Sequence, residues 1–546
     1  MLPDWEALPL AQQVAQLFVV RACGAWFDSQ RRYPQWEADQ ATLEHWLGDL
    51  GVGGIILLGG CAAEVALRTR QMQAWAQIPL LIAADIEEGV GQRFEGATWF
   101  PPPMALGAIA QRALAEPIAH ANPELAQTLA EQMGAVTAEE ALALGLNWIL
   151  APTTDVNNNP ANPVINVRAF GETPSTVGEM ATAFIRGTQR FPVLTTAKHF
   201  PGHGDTATDS HLDLPAIPHD LARLQAIELP PFQRAIAQGV DAVMTAHLQI
   251  PRLDPQWPAT LSSQVLEGLL RRDLGFNGLI VTDALIMGAI AQHYGPAEAA
   301  LLAFEAGADV LLMPADLEGA IAAIVQALES GRIPRARLHA SLARIWRAKQ
   351  KVCGLSQQVG HAWETLNEPG LDLSSVGRPG AQAVVHKILI ASQQVQGGKL
   401  PTVEAGTNLI LTDNLLQSPF LGSNVPAIAL PQALGYAPLL IDGSTPEIQL
   451  PSGRVLLQLF IRGNPFRSSA RLGAKAEALL QHLLAEAQLQ GLVLYGSPYL
   501  WQRLQALLPD DLPAAFSYGQ MPTAQTIALQ GLGQSARTAL SYDFTT

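Results

Sequence analysis

The densest collection of reactive side chains is the segment Lys198-His199-Phe200-Pro201-Gly202-His203-Gly204-Asp205-Thr206-Ala207-Thr208-Asp209-Ser210-His211. Three histidines, two aspartates and a lysine fall within these fourteen residues. Pro201, Gly202 and Gly204 oppose a helix, so the segment reads as a loop. Titratable groups crowded on a loop are costly unless they bind or react; a polar, histidine-rich surface loop is the plainer alternative. Asp209 and His211 stand two residues apart and share one side of an extended chain. A carboxylate partner fixes the imidazole tautomer and raises its pKa from a reference of about 6.5. The imidazolium can then donate a proton near neutral pH, or the pair can simply brace the loop.

Asp283 closes the apolar run of Val281-Thr282-Asp283-Ala284 with no obvious local ion-pair partner. Such a carboxylate can attack an electrophilic carbon or stabilise a cation. Its structural alternative is a helix N-cap. Lys198 and His199 are donors suited to hydroxyl or carbonyl groups, and Asp85 offers two acceptor oxygens to a pair of sugar hydroxyls. Arg168, downstream of Asn157-Asn158-Asn159-Pro160, can present its fork to an oxygen-rich ligand or make a structural ion pair.

These residues need a scaffold that gathers them. Short apolar runs occur at Leu17–Val20, Ile55–Leu58, Leu80–Ala84, Trp148–Ala151, Val193–Ala197, Ala242–Thr245, Leu279–Thr282 and Val310–Met313. Helical periodicity falls between them, as in Pro123–Leu144, Pro174–Thr188, Ala222–Ala237 and Leu261–Arg272. Alternating strands and helices imply right-handed crossovers and a parallel sheet. Eight repeats over about 300 residues suit a (β/α)8 TIM-like barrel. Asp85, Asp155, Lys198-His199, His247 and Asp283 then end five of the strands and share the C-terminal rim, where barrels place active sites. A doubly wound sheet would not bring those ends to one mouth.

Helices are expected at Leu317–Ser330 and Pro334–Lys351, the latter with a basic side read as a solvated face. Residues 351–380 read as a linker between a barrel of 1–350 and a smaller C-terminal α/β domain of 381–546. Strands are expected there at Ile388–Ala391, Leu409–Thr412, Val455–Phe460 and Leu492–Tyr495, with a helix at Leu472–Leu489. Few titratable groups cluster in this domain, so a structural role is expected. Gly531-Leu532-Gly533-Gln534-Ser535-Ala536 matches a dinucleotide fingerprint but leaves no room for its βαβ unit.

The chain has 546 residues, 48% hydrophobic and 15% charged, enough for a large core. Its net charge of −15, without a basic run, argues against a nucleic-acid partner. Cys23, Cys61 and Cys353 form neither a disulfide framework nor a metal-ligand spacing. No stretch reaches the roughly 20 apolar residues of a membrane span. The N-terminus lacks the pattern of a secretory signal, so a cytoplasmic location is expected. No metal or cofactor is expected, and nothing in the sequence bears on oligomeric state.

Taken together, the segment from Lys198 to Gly204 followed by Asp209-Ser210-His211 resembles the family 3 glycoside hydrolases that act as β-N-acetylglucosaminidases (the NagZ type). The resemblance extends to Asp155-Val156-Asn157-Asn158-Asn159-Pro160, Asn162-Pro163-Val164-Ile165, Arg168-Ala169-Phe170-Gly171 and Thr282-Asp283-Ala284-Leu285. It implies a retaining hydrolase of terminal β-linked N-acetylglucosamine, for example in peptidoglycan fragments. It further implies that Asp283 is the nucleophile, His211 the acid/base and Asp209 its partner. Asp85, Arg168, Lys198 and His199 would hold the sugar. The family pattern Asp-Gln-Glu-Gly-Gly-Arg is altered here to Asp85-Ile86-Glu87-Glu88-Gly89-Val90, followed by Gly91-Gln92-Arg93. Rival readings are a phosphorylase or β-glucosidase on the same fold, a non-catalytic sugar-binding barrel, and a metal-dependent hydrolase using His199, His203, His211, Asp205 and Asp209. Metal-dependent barrels often open with His-x-His on the first strand, where this chain has Val19-Val20-Arg21-Ala22.

Overall fold

The computed structural model describes residues 2–115, 123–206, 214–353, 373–445, 453–463 and 472–533. Eight strands form the first sheet: β1 (Phe18–Ala22), β2 (Gly54–Leu57), β3 (Leu81–Ala84), β4 (Trp148–Ile149), β5 (Leu194–Phe200), β6 (Ala242–Thr245), β7 (Leu279–Val281) and β8 (Leu311–Leu312). They pair in parallel in the order β8-β1-β2-β3-β4-β5-β6-β7. A parallel bridge from Val281 to Val310 brings the two ends together, so the sheet nearly closes on itself. Every strand residue is buried. This explains why the strands read as unbroken apolar runs: helices cover the outside and side chains fill the inside.

The helices follow local rules. Thr173 caps the helix Pro174–Thr188, which has proline in its first turn. Asp316 caps Leu317–Glu329 by accepting from the Gly319 amide at 3.0 Å. The helices Pro123–Ala143 and Pro174–Thr188 approach closely because each presents a glycine to the backbone of the other. A Cβ on Gly134 would stand 2.2 Å from the Phe184 carbonyl oxygen, and one on Gly187 2.0 Å from that of Glu131. The expected helix 222–237 is two helices, Leu221–Ala226 and Leu229–Ala237, the second with prolines in its first turn.

The second sheet is a separate α/β unit. Its strands are β9 (Gln394–Gln396), β10 (Gly406–Thr412), β11 (Tyr436–Ile441), β12 (Arg454–Ile461), β13 (Leu489–Gly496) and β14 (Ala514–Ser517). The order is β9-β14-β13-β12-β10-β11, parallel except for the β9–β14 pair. The expected strand Ile388–Ala391 is instead part of the helix Pro379–Ser392. Ala381 and the spaced apolar residues Val384, Val385, Ile388 and Leu389 form a buried helical stripe. No helix among the described residues is long and apolar enough to cross a membrane.

The last barrel helix, Arg335–Cys353, corrects in part the expectation of a solvated basic face: Arg335 and Arg347 are exposed, but Arg337, Arg344, Lys349 and Lys351 find partners at the end of the barrel. Asp309, fully buried just before β8, accepts from Arg337 at 3.4 Å, Arg344 at 3.2 Å and Ser341 at 2.6 Å, and pairs with Arg271. Lys349 donates to Gln16 at 2.7 Å and Lys351 to Asp241 at 2.7 Å. Asp309, Gln16 and Asp241 all precede strands, so this helix plugs the N-terminal end of the barrel through charge. Asp309→Ala would strand three guanidinium groups around an emptied centre. A loss of about 3–5 kcal/mol is expected, read as a lowered urea midpoint of the barrel transition. An unchanged midpoint would contradict this account.

Candidate active site

The opposite, C-terminal rim collects a different set of charges. Asp85 and Glu87 follow β3, and Lys198 lies near the end of β5. Lys198 Nζ donates to Asp85 Oδ1 at 2.7 Å and stands 2.7 Å from Glu87 Oε1. Arg168 sits in a short helical turn, Asn166–Arg168. It closes a fork on Glu87, with Nε to Oε2 at 2.9 Å and Nη2 to Oε1 at 2.8 Å. Two anions and two cations thus meet in one network. Burial alone would raise the Glu87 carboxyl, but Arg168 and Lys198 hold it well below the usual carboxylate range. Burial would lower Lys198, and Asp85 and Glu87 raise it instead.

Asp155, after β4, organises the histidine loop from beneath. Its carboxylate accepts from the His203 amide at 2.7 Å and the His199 amide at 3.2 Å, and lies 2.7 Å from His199 Nδ1. Burial opposes the charge, yet attraction to His199 keeps the Asp155 pKa lowered. His199 Nε2 is thereby turned toward Arg168 Nη2, 3.5 Å away. The Asn162 side chain joins this loop to the arginine turn. It donates to the His203 carbonyl at 2.8 Å and accepts from the Ile165 amide at 2.8 Å. His203 is buried with Nδ1 2.8 Å from Thr206 Oγ1, and burial pushes its pKa down to about 4. It is therefore neutral at pH 7 and unsuited to donate a proton as an acid there.

Asp283 follows β7 and is half-buried, with Oδ1 accepting from the Ala284 amide at 2.7 Å. The next helix begins at Gly288 with Met287 as its cap, so Asp283 is not a helix cap. Strand register sets where these side chains face. Arg21 pairs with Ile56, and Ile56 with Ala83. Ala83 pairs with Trp148, and Trp148 with Leu194. Lys198 pairs with Met244, and Met244 with Val281. With a period of two, Arg21, Asp85, Lys198 and Asp283 share the face of their strands that Lys198 turns toward Asp85. They stand on β1, β3, β5 and β7, the alternation that fills one layer of a barrel.

Of the residues singled out from the sequence, Asp85, Arg168, Lys198 and His199 form one contact network, and Asp283 shares their rim. Asp209 and His211 lie outside the described residues. Sequence reasoning did not assign roles to Glu87, Arg93, Asp155 or Arg21. Arg93 Nε donates to the Asp85 carbonyl at 3.0 Å. Glu87 had a signal, since it stands two residues past Asp85, and Arg21 ends a strand as Asp85 does.

The second domain also reaches this rim, beyond the structural role expected for it. Arg462, just past β12, pairs with the buried Glu88, which accepts from Trp99 Nε1 at 2.9 Å. Tyr499 Oη accepts from Asn157 Nδ2 at 2.7 Å. Among the described residues Asp205, His219 and Glu228 have the closeness of a metal cluster. Arg223 contacts Asp205 at 3.4 Å and Glu228 at 3.1 Å, so a guanidinium already supplies the positive charge there.

Known proteins share both halves of this architecture. Residues 9–348 match the Glycosyl hydrolase family 3 N terminal domain, and residues 399–534 the Bacterial Glycosyl hydrolase family 3 C-terminal domain. The chain is 37% identical over 327 residues to Beta-hexosaminidase A of Pseudoalteromonas piscicida, covering 56% of this chain and 53% of that one. It thus spans about half the length of that relative. A Beta-hexosaminidase of Nitrosomonas eutropha is 36% identical over 289 residues, covering 52% of this chain and 78% of that protein. The solved structure of a glycoside hydrolase family 3 beta-N-acetylglucosaminidase from Paenibacillus sp. str. FPU-7 superposes with a TM-score of 0.76 at 31% identity, covering 97% of this chain and 98% of that one. A beta-glucoside phosphorylase, BglX, superposes at 0.79 with 21% identity, covering 97% and 92%, a likeness of fold alone.

The rim charges predict a pH dependence. Glu87 is depressed in the folded state, so its stabilisation is complete above its unfolded pKa of about 4.3 and is lost as acid titrates it below that. Lys198 is raised, so its contribution is complete below about pH 10 and is lost above its folded pKa. Unfolding free energy measured against pH is therefore expected to fall at the acid end, with a shallower acid limb in Glu87→Gln. Superimposable acid limbs would refute the assignment.

Proposed function

The chain belongs to glycosyl hydrolase family 3, and from that premise we propose that it hydrolyses terminal β-linked N-acetylglucosamine with retention of configuration. The observation that carries the reading is one rim holding a strand-end carboxylate, Asp283, and a rigid polar wall built of Asp85, Arg168, Lys198 and His199. The relatives named as hexosaminidases and the beta-N-acetylglucosaminidase from Paenibacillus support the same substrate class.

In this mechanism Asp283 attacks the anomeric carbon through an oxocarbenium-like transition state, and the bond to the leaving oxygen breaks. His211, protonated and held by Asp209, gives its proton to that oxygen. It then takes a proton from water as the water displaces Asp283, which releases the sugar. An imidazole suits the acid role without burial, because it titrates near neutrality where a carboxylic acid must have its pKa raised. The neutral His203 leaves that task to His211. Asp85 holds sugar hydroxyls as an acceptor, oriented by Lys198. Arg168 and His199 complete the wall.

The three free cysteines suit a reducing compartment. Peptidoglycan fragments recycled in a bacterial cytoplasm are the substrate source that this reading favours. Release of N-acetylglucosamine rather than its 1-phosphate in phosphate buffer distinguishes hydrolysis from phosphorolysis.

Asp283→Ala is expected to abolish turnover of an aryl β-N-acetylglucosaminide. His211→Ala should lose about 10²–10⁴ in rate on a glycoside with a poor leaving group, and far less on an activated aryl glycoside. Equal losses on both substrates would count against the acid role. Preference for the aryl β-glucoside over the N-acetylglucosaminide would overturn the substrate assignment.

A further inference from the structure

The loop between β1 and the helix Gln40–Glu44 exposes an unusual amount of aromatic surface. Trp26 is 37% exposed, Phe27 64%, Tyr33 37% and Trp36 46%. Large apolar faces are ordinarily withdrawn from water, and several left open on one loop mark a binding surface. This one is not a loose tip. Tyr33 and Trp36 stack with ring centres 5.7 Å apart and planes inclined by 29°. The Trp36 and Glu37 amides both donate to the Tyr33 carbonyl at 2.9 Å. Glu37 accepts from the Tyr33 amide at 3.0 Å, and its backbone carbonyl accepts from Arg31 at 2.8 Å.

The anchor beneath these rings is Arg21, which belongs to the barrel layer of Asp85, Lys198 and Asp283. Its guanidinium is buried, donates to Glu37 at 3.1 Å, and lies 4.9 Å from the Tyr33 ring centre and 5.7 Å from that of Trp36. The rings are thus tied by a cation to the same layer that carries the strand-end carboxylates. Arg32 lies 5.6 Å from the Tyr33 ring, so Trp36 has the freer face. Arg21 and Glu37 pair with each other, so the buried anchor beneath the rings carries no unpaired charge of its own.

We propose that the β1 loop is a second sugar-binding subsite in which Trp36, backed by Tyr33 and Arg21, stacks against the neutral pyranose ring next to the scissile bond. One face of a β-linked N-acetylglucosamine is lined by axial C–H groups. Those hydrogens carry partial positive charge and meet the negative face of an aromatic ring, while the ring covers apolar sugar surface. The equatorial hydroxyls stay in water. A platform of this kind favours a leaving group that is itself a sugar. The inference rests on the glycosidase reading, and it deepens that reading by assigning the leaving side of the substrate.

The test compares two substrates that share N-acetylglucosamine as the cleaved residue. One is the β-1,4-linked disaccharide of N-acetylglucosamine. The other is the β-glycosyl fluoride of N-acetylglucosamine, which offers no second ring to stack. Trp36→Ala is expected to raise KM for the disaccharide about tenfold, the scale of one lost ring contact, and to leave kcat/KM for the fluoride within about twofold. Trp36→Phe should recover most of the disaccharide loss. Equal loss on both substrates, or none on either, overturns the subsite while leaving the glycosidase reading intact. An unaltered enzyme inert on both substrates overturns both.

Discussion

Four charges meet at one end of a barrel, Glu87 and Lys198 buried, Asp85 and Arg168 partly so, and they set the terms for the site. A lone buried carboxylate or ammonium costs several kcal/mol even after relaxation, of order 20 kcal/mol in the idealised limit. Asp85, Glu87, Arg168 and Lys198 avoid that penalty only together, two of each sign within hydrogen-bonding reach. Removing any one leaves a neighbour uncompensated. The consequence is a wall whose polar atoms have fixed positions, because no member can turn away without breaking a charged contact. That is the preorganisation a site needs when it must hold a flexible, hydroxyl-rich ligand in one pose.

The barrel uses the same physics at both ends for different purposes. At the N-terminal end Asp309 is wholly covered and surrounded by Arg271, Arg337, Arg344 and Ser341. Its partners satisfy it, so nothing is left to bind. At the C-terminal end Asp85 and Asp283 stay partly open. A charge cluster sealed from solvent holds the fold together, whereas one partly open to solvent can be reached by substrate. This is the division between the two faces that parallel barrels show in general.

The eight barrel strands were legible because each is buried on both faces and reads as an apolar run. Asp85, Lys198, His199 and Asp283 stood out because they interrupt the apolar runs at their C-terminal ends. Glu87 was harder: the segment around it has no periodicity, and its role depends on Arg168, which is 81 positions away. The basic side of the helix Arg335–Cys353 misled because composition reports charge, not the buried acids that meet it. Ile388–Ala391 misled because four apolar residues fit a strand or a helix equally, and only the surrounding stripe decides. In the second domain β9, β11 and β14 escaped notice, since partly exposed edges (β9 and β11) and a short alanine-rich interior strand (β14) give weak hydrophobic signal.

The altered segment after β3 shows why the second domain is more than an appendage. Glu88 stands where the family pattern has glycine, and it is fully buried. A carboxylate added at that depth is tolerable only with a partner, and among the described residues the barrel segment itself provides only the neutral Trp99 side-chain donor. The cation comes from Arg462, 374 positions further along the chain. Trp99 in turn packs on Phe420 with ring centres 4.5 Å apart, and Asn157 reaches Tyr499. These contacts fall on the segments that carry Asp85, Glu87 and Asp155. Docking of the second domain and alignment of the polar wall are therefore one problem: the loop that bears Asp85 is held on one side by Lys198 and on the other by a residue of a different domain.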